Sequence, residues 1–539
     1  MENQSTNKGF AILSAAGMIV KILSLLYLPF LMEIIGATGY GSYYKAYQIY
    51  VFIYVITNTG IPVAISKLIS ELTAVKNFQD AVRSFKLARL LLCMLGLVMT
   101  LLMLIIAYPV TVLMDAKEVY LGVLLLAPAI FFTSISAAYR GYFQGRGNMT
   151  PTAIAQIIEQ VANTVFTLAF AAFFMKYGIN AALAGGTFAT TLAAIISAGY
   201  IVIYYRKNNK FKVPMSYKYL EVERYSNKQL TRKIISYGVP ITLCVSMTYL
   251  GNLVDVINTS QRLIASGKFT HTTATTLVGT LGKYQQLINV PIAVITALSV
   301  AILPAIAGVV ALKDKKAIKD KIDYSLRLCC LIAVPSAVGL AVLSQPVFKL
   351  IFPNYPEGAQ LMRIGAIVIV LMAVVQIQTS ILQGIGKLYT ATIFAVVGIV
   401  AKITANYFLI VRPDININGA VYGSIIGFSI PLILNHIMIR KTLEVKISLV
   451  SHAIKPIISS GIMGLIVYVV YTYLYKGLAN VTSHYLISNA VSTFMAVIIG
   501  MYMYTYGLIL IGGIRKQDLN AIPNKVTRLL PKRMLARIR

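Results

Sequence analysis

The 539-residue chain has no tryptophan, four cysteines, four histidines and only 17 acidic residues, and just 12% of it is charged. So little charge excludes an ordinary soluble domain, in which about a quarter of the residues carry charge. Cys93, Cys244, Cys329 and Cys330 are scattered through apolar runs with no C-x-x-C pair, which argues against a disulfide framework or a thiolate metal site. No Asp-Asp pair and no sizeable polar outer loop is present, so the usual metal-binding equipment of a membrane glycosyltransferase is missing. The stretch QGIGKLY contains Gly-Lys but lacks the earlier glycine and the following Ser or Thr of a phosphate-binding P-loop. The expectation is a protein that is not an enzyme, with no metal and no cofactor beyond a coupling Na+ or H+.

What remains is hydrocarbon. The chain is 58% hydrophobic with a mean hydropathy of +0.76, which predicts an all-α integral membrane protein. Apolar runs of about 20 residues predict about 14 transmembrane helices. The first begins near Phe10 with only Lys8 before it and outruns a signal peptide, so it reads as an uncleaved span. With both termini cytoplasmic, inner loops and tails hold 34 of the 48 Lys and Arg, Arg140 being counted in the loop after helix 4, and outer loops hold 8. The positive-inside rule demands that asymmetry. The net charge of +31 therefore reads as topology plus attraction to anionic membrane lipids, and the basic tail as a surface anchor rather than a nucleic-acid site.

The sequence is also doubled. YFQGRGNMT sets Gln144, Gly145 and Gly147 against Gln383, Gly384 and Gly386 of ILQGIGKLY, 239 residues on. Asn180 and Gly185 match Asn418 and Gly423 at an offset of 238, and Tyr47, Gln48, Val63, Ala64 and Ile65 match Tyr284, Gln285, Val300, Ala301 and Ile302 at 237. A nearly constant offset spanning six helices preserves orientation, so the repeats are parallel. The predicted organisation is an N-lobe over 1–207 (helices 1–6), a cytoplasmic linker over 208–233, a C-lobe over 234–441 (helices 7–12), helices 13 and 14 over 442–513, and a basic cytoplasmic tail over 514–539. Two such lobes frame a cleft, and rocking them opens it to alternate sides.

The charges tolerated in the spans point to a cargo, since a lysine at the bilayer centre costs about 2.5–3.5 kcal/mol on insertion scales. Lys21 and Lys402 lie near mid-helix and are the first cavity candidates. Lys45 and Lys283 lie just inside the outer ends of helices 2 and 8, where snorkelling competes with cargo contact. Arg262, Glu159 and Asn163 complete the candidate set, the last two forming a polar stripe on helix 5 with Gln156 and Gln160. Glu33 and Asp255 are candidates for coupling or for charge pairing with Lys45 and Lys283, while Lys67, Glu71 and Arg327 read as interfacial anchors. Excess cations suggest an anionic cargo, and pyrophosphate suits converging lysines. An inside-negative potential drives an anion outward. In TNTGIPVAISKLISE, Gly60 and Pro62 free backbone groups that lipid cannot satisfy, so they are expected beside the cleft as a hinge, with Pro291 as a counterpart in helix 8.

GATGYGSYYKAYQIY, TNTGIPVAISKLISE, YRGYFQGRGNMTPTAIAQIIEQ, GVPITLCVSMTYLGNLVDV and LINVPIAVITALSVAILPAIAG resemble the polysaccharide-transporter branch of the multidrug, oligosaccharidyl-lipid and polysaccharide exporter superfamily. Within it the chain is similar to the stage V sporulation protein B type proteins and the lipid II flippases. The resemblance implies a bacterial cell-membrane flippase with a fourteen-helix, two-lobed fold. It implies a polyprenyl-pyrophosphate-linked sugar as cargo, moved from the inner to the outer leaflet, and a lipid-tail groove along helices 13 and 14. It places Lys21 on the first basic cavity position of helix 1. Tyr27, Gln286 and the pair Tyr54 and Val55 fall on positions that are basic in lipid II flippases. A drug or cation antiporter of the same superfamily and a non-transporting scaffold for cell-wall synthesis are the competing readings.

Overall fold

The computed structural model describes residues 6–208, 224–311, 314–444, 447–481 and 484–513, so the basic tail and most of the predicted linker lie outside the described residues. The chain folds into α1 (Thr6–Asn58), α2 (Gly60–Ala74), α3 (Phe78–Leu113), α4 (Tyr120–Gly145), α5 (Thr150–Phe174), α6 (Ile179–Lys207), α7 (Asn227–Ala265) and α8 (His271–Ala311). It continues through α9 (Lys315–Val342), α10 (Ser344–Ile351), α11 (Ala359–Gly365), α12 (Ile367–Gly384), α13 (Leu388–Leu409), α14 (Asn418–Leu443), α15 (Leu449–Val481) and α16 (Tyr485–Leu510). No strand occurs among the described residues.

Twelve stretches of the described residues are long and apolar enough to cross a membrane, and the chain is a multi-pass integral membrane protein. The first stretch, Ile12–Ala74, is 63 residues long. At 1.5 Å per residue it is about three times as long as the 30 Å hydrocarbon core, so it holds more than one crossing. It turns at Gly36, whose φ of 71° and ψ of 174° a side chain would disfavour. It is interrupted again at Thr59, between α1 and α2. The predicted helices 9 and 10 are each subdivided, into α9 with α10 and α11 with α12. Apolar content continues across both breaks, so run length alone cannot place them.

Polar residues set the helix ends where the chain leaves hydrocarbon. Asn77 caps α3 by accepting from Asp80 N, Ser226 and Gln229 form a capping box on α7, and Asp314 accepts from Lys316 N and Ala317 N at the start of α9. The repeated Q-G-x-G motif is a C-cap. Gly147 (φ 71°) and Gly386 (φ 79°) both follow a helix in the left-handed conformation. Asn148 N bonds Phe143 O at 2.9 Å, as Lys387 N bonds Leu382 O at 2.7 Å, the Schellman pattern in each repeat. The first glycine of each motif packs on a neighbouring helix. A Cβ on Gly145 would lie 2.7 Å from Ser66 O and 2.9 Å from Ile69 Cβ, and one on Gly384 would lie 3.3 Å from Leu303 O and 3.2 Å from Ile306 Cβ. The doubled sequence thus carries doubled structural joints.

The described residues form two compact units, one within 1–282 and 406–417, the other within 283–405 and 418–513. In the first, α4 packs on α3, α6 and α2, α5 packs on α6 and α1, and α7 lies against α1 and α2. Its core is aromatic around Phe85, Tyr139, Tyr142, Phe143 and Tyr205. In the second, α15 packs on α9 and α16, and α12 on α9 and α14.

Candidate functional site

The second limb of α1 carries tyrosines at helical spacing, Tyr43, Tyr47, Tyr50 and Tyr54, with successive ring centroids 4.6, 5.9 and 5.7 Å apart. The stripe meets the polar face of α5 and α6. Tyr47 shares a hydrogen bond with Thr190, whose hydroxyl donates to Asn163 Oδ1 at 2.9 Å, and Thr167 donates to the same oxygen at 3.3 Å. Glu159, one turn away, accepts from Ser197 at 3.1 Å. Tyr27 stands 3.4 Å from Tyr43, oxygen to oxygen, and continues the polar track toward the first limb of α1. Lys21 lies on that limb, exposed, and its ammonium makes no hydrogen bond or ion pair among the described residues.

Arg140 was not among the sequence candidates. Placed in a cytoplasmic loop by the charge count, it is instead buried inside α4, with 9% of its surface exposed. It donates to Asn58 Oδ1 at 3.1 Å, with the Tyr54 hydroxyl within electrostatic reach. Tyr54 is one of the positions at which the resemblance implies a basic residue. The RGYFQG string did not show that burial, although its two glycines, four residues apart, let α2 approach α4: a Cβ on Gly141 would lie 2.6 Å from Pro62 O.

Lys45 and Lys283 are satisfied within the protein. Lys45, fully buried, donates to Met114 O at 3.3 Å and Thr275 Oγ1 at 3.1 Å, and Glu118 and Asp115 lie within electrostatic reach. Met114 is the C-cap of α3, so an ammonium there meets the negative end of a helix. Lys283, 1% exposed, donates to Tyr355 O at 2.8 Å, stands 3.5 Å from Glu357 and lies near the Phe352 ring. Each lysine closes the chain reversal that follows helix 3 or helix 9 of its own repeat.

Around the α3 C-terminus, Gln261 Nε2 donates to Leu113 O at 2.8 Å, Ser260 Oγ to Met114 O at 3.1 Å, and His271 meets the carbonyl of Asp115. Thr38 and Thr276 share a 2.9 Å hydrogen bond nearby, and Gly41 packs against Gly279. The start of α8 and the end of α7 are thereby tied to α1 and α3.

Asp255 is buried and accepts a hydrogen bond from Asn406 Nδ2, with Tyr44 in electrostatic range. Arg262 stacks on Tyr407 at 3.8 Å. Glu33 is exposed on α1, and Lys402 is half-buried on α13 beside Gly427. Lys67 forms an exposed pair with Glu71 and lies over Tyr237. Gly60 and Pro62 are buried against protein: a Cβ on Gly60 would strike Gly238 O and Thr242 of α7. Pro291 is buried within α8.

A family model described as polysaccharide biosynthesis protein matches residues 6–310. Among curated proteins of Bacillus subtilis (strain 168), the stage V sporulation protein B is 27% identical over 84% of this chain and 87% of its own. The uncharacterized membrane protein YabM is 26% identical over 98% and 97%. The lipid II flippase MurJ of the same organism is 24% identical over 86% and 88%. A solved lipid II flippase MurJ in an inward closed conformation superposes with a TM-score of 0.68 at 14% identity, covering 94% of this chain and 99% of that one. An inward-facing multidrug resistance MATE family transporter of the MOP superfamily gives 0.67 at 14% identity, covering 81% and 98%. These likenesses establish the fold.

Proposed function

Because the chain belongs to the polysaccharide biosynthesis protein family, we propose that it flips a polyprenyl-pyrophosphate-linked cell-wall or polysaccharide precursor from the inner to the outer leaflet by alternating access. It is a bacterial membrane transporter of the flippase type and not an enzyme. The observation that carries the cargo reading is Lys21, an exposed ammonium with no protein partner among the described residues, set in the apolar limb of α1 that also carries Tyr27. An ammonium so placed has a reason to stay if an anion visits it. Lys402 is the second cargo contact, and the excess of basic residues predicted inside supports cytoplasmic termini.

Native mass spectrometry of the full chain with undecaprenyl pyrophosphate tests this reading. Binding in the wild type that is lost in Lys21→Gln with Lys402→Gln supports it. Equal binding in the variant sinks the assignment of these lysines, and binding of organic cations in place of the pyrophosphate lipid favours the antiporter. Buried Asp255, bonded by Asn406, is the coupling position we favour for Na+ or H+. Asp255→Asn should abolish the dependence of flipping on whichever ion is coupled, and an unchanged ion dependence in vesicles rejects the assignment.

A further inference from the structure

Between the apolar stretches Lys315–Val342 and Ile367–Gly384 the chain makes two short helices, α10 and α11, in place of a tight turn. α10 buries Ser344, Pro346 and Phe348, and α11 buries Leu361, Met362 and Gly365. Residues three or four apart share a helix face. The remaining faces therefore carry Gln345 with Lys349, and Gln360 with Arg363 and Ile364. Together with Pro356 and Glu357 of the connecting loop, these residues line a cavity of about 520 Å³, a size that suits a small-molecule ligand.

Buried polar groups fix both walls from behind. Asn489 of α16, 1% exposed, donates to Pro346 O at 3.0 Å and accepts from the Tyr471 hydroxyl at 2.8 Å. Lys283 donates to Tyr355 O at 2.8 Å and stands 3.5 Å from Glu357, so the loop carboxylate already has its counter-charge. The groups facing the cavity are unspent. Gln345, Lys349, Gln360 and Arg363 make no hydrogen bond, ion pair or ring contact among the described residues. Two cations and two carboxamides thus surround one cavity with no protein partner. Topology does not account for the cations, because the connection between predicted helices 9 and 10 is outer by the charge count, where the positive-inside bias disfavours Lys and Arg.

We propose that this cavity binds the phosphodiester headgroup of an anionic membrane glycerolipid, with Arg363 and Lys349 on the phosphate oxygens and Gln345 and Gln360 on the headgroup hydroxyls. The planar guanidinium takes two phosphate oxygens and the ammonium adds a point charge. A carboxamide both donates and accepts, as a hydroxyl requires. Position selects a lipid over a soluble anion. The cavity lies where two consecutive membrane-crossing stretches end, at the level of lipid headgroups, and Ile364 in its lining and the exposed Ile367 one turn on offer apolar surface to acyl chains. Neither Lys21 nor Lys402 takes part, so this site stands apart from the proposed cargo contacts.

Delipidated full-length chain in a neutral detergent, titrated with phosphatidylglycerol, phosphatidylcholine, glycerol phosphate and undecaprenyl pyrophosphate and read by native mass spectrometry, tests the site. Wild type should bind phosphatidylglycerol about tenfold more tightly than phosphatidylcholine. Lys349→Gln with Arg363→Gln should weaken phosphatidylglycerol binding about tenfold and erase that preference. Lys176→Gln with Lys268→Gln, which removes two exposed cations elsewhere on the predicted outer side, should leave it unchanged. Gln345→Ala with Gln360→Ala should weaken it about threefold at unaltered charge, and this pair decides if the first variant does not fold. Equal losses in the two cation variants overturn the proposal, because surface charge alone then explains them, and so does no loss in the cavity variant. Glycerol phosphate that displaces the lipid at equal concentration gives the cavity to a soluble phosphate. Undecaprenyl pyrophosphate that binds in preference, and is lost in the cavity variant, gives it to the precursor. Each of these last two results overturns the glycerolipid assignment, and neither touches the roles of Lys21 and Lys402.

Discussion

The lysines inside the apolar helices share a residue type and little else. Lys45 and Lys283 are closed off by backbone carbonyls and neighbouring side chains, whereas Lys21 is exposed and unpartnered among the described residues. Their substitution should separate the roles. Lys45→Met and Lys283→Met keep most of the volume but remove charge-assisted hydrogen bonds, from Lys45 to Met114 O and Thr275 and from Lys283 to Tyr355 O, which should cost about 1.5–3 kcal/mol in thermal or denaturant unfolding. Lys21→Gln, with no contact to lose, should stay within about 0.5 kcal/mol of wild type while weakening cargo binding. A Lys21 variant that unfolds as readily as the Lys45 variant would reject that division. A pH effect belongs at this scale too. Glu444, just after α14, is held below the usual carboxylate range by a hydrogen bond from Lys315 and by its charge. Its depressed folded value means the stabilisation is present above the unfolded value, near 4.3, and is lost as pH falls through the folded one. Acid destabilisation should therefore be shallower in Glu444→Gln. The difference should fade in high salt because the pair is fully exposed.

At the scale of the helix, much was legible. The length of an apolar run shows that a span exists, because lipid admits few alternatives to a helix, and a nearly constant repeat offset is the signal that pointed to a doubled chain. The Q-G-x-G match proved to be a pair of C-caps with a packing glycine in front, so a motif met as a signature has a structural cause. The breaks at 343 and 366 and the burial of Arg140 were not legible, because tertiary contacts decide them and apolar sequence continues through the breaks. The same logic sorts the glycines. Gly60→Ala and Gly141→Ala would drive a methyl into Gly238 O or Pro62 O, an overpacking cost of about 1–3 kcal/mol. Gly199→Ala, with nothing within 4 Å of the new Cβ inside α6, should be neutral or stabilising by up to about 1 kcal/mol. Thermal unfolding of the three variants checks the ranking, and an equally costly Gly199→Ala would show that packing is not the cause.

At the scale of the whole molecule, the alternating access proposed above would require contacts between the predicted repeats that can be broken, and the ties that hold the end of α7 and the start of α8 to α1 and α3 are where we place that requirement. Gln261 and Ser260 of α7 and His271 of α8 reach carbonyls at the end of α3, Lys45 reaches Thr275, and Thr38 meets Thr276. Each tie is a single hydrogen bond, worth about 0.5–1.5 kcal/mol net, so each can break and re-form at modest cost. If transport requires that end to open, a covalent bond there must stop it. The Thr38 and Thr276 hydroxyl oxygens are 2.9 Å apart, so thiols at these positions would meet, and a cross-link is tested in Thr38→Cys with Thr276→Cys. Oxidised protein in vesicles should then fail to deliver lipid-linked precursor to the far leaflet while still binding it. Reductant should restore delivery, and each single cysteine variant should be active with or without oxidant. Full delivery by the cross-linked protein would mean that the end stays closed throughout the cycle, and the cargo would have to leave by a path that does not part α1 from α8.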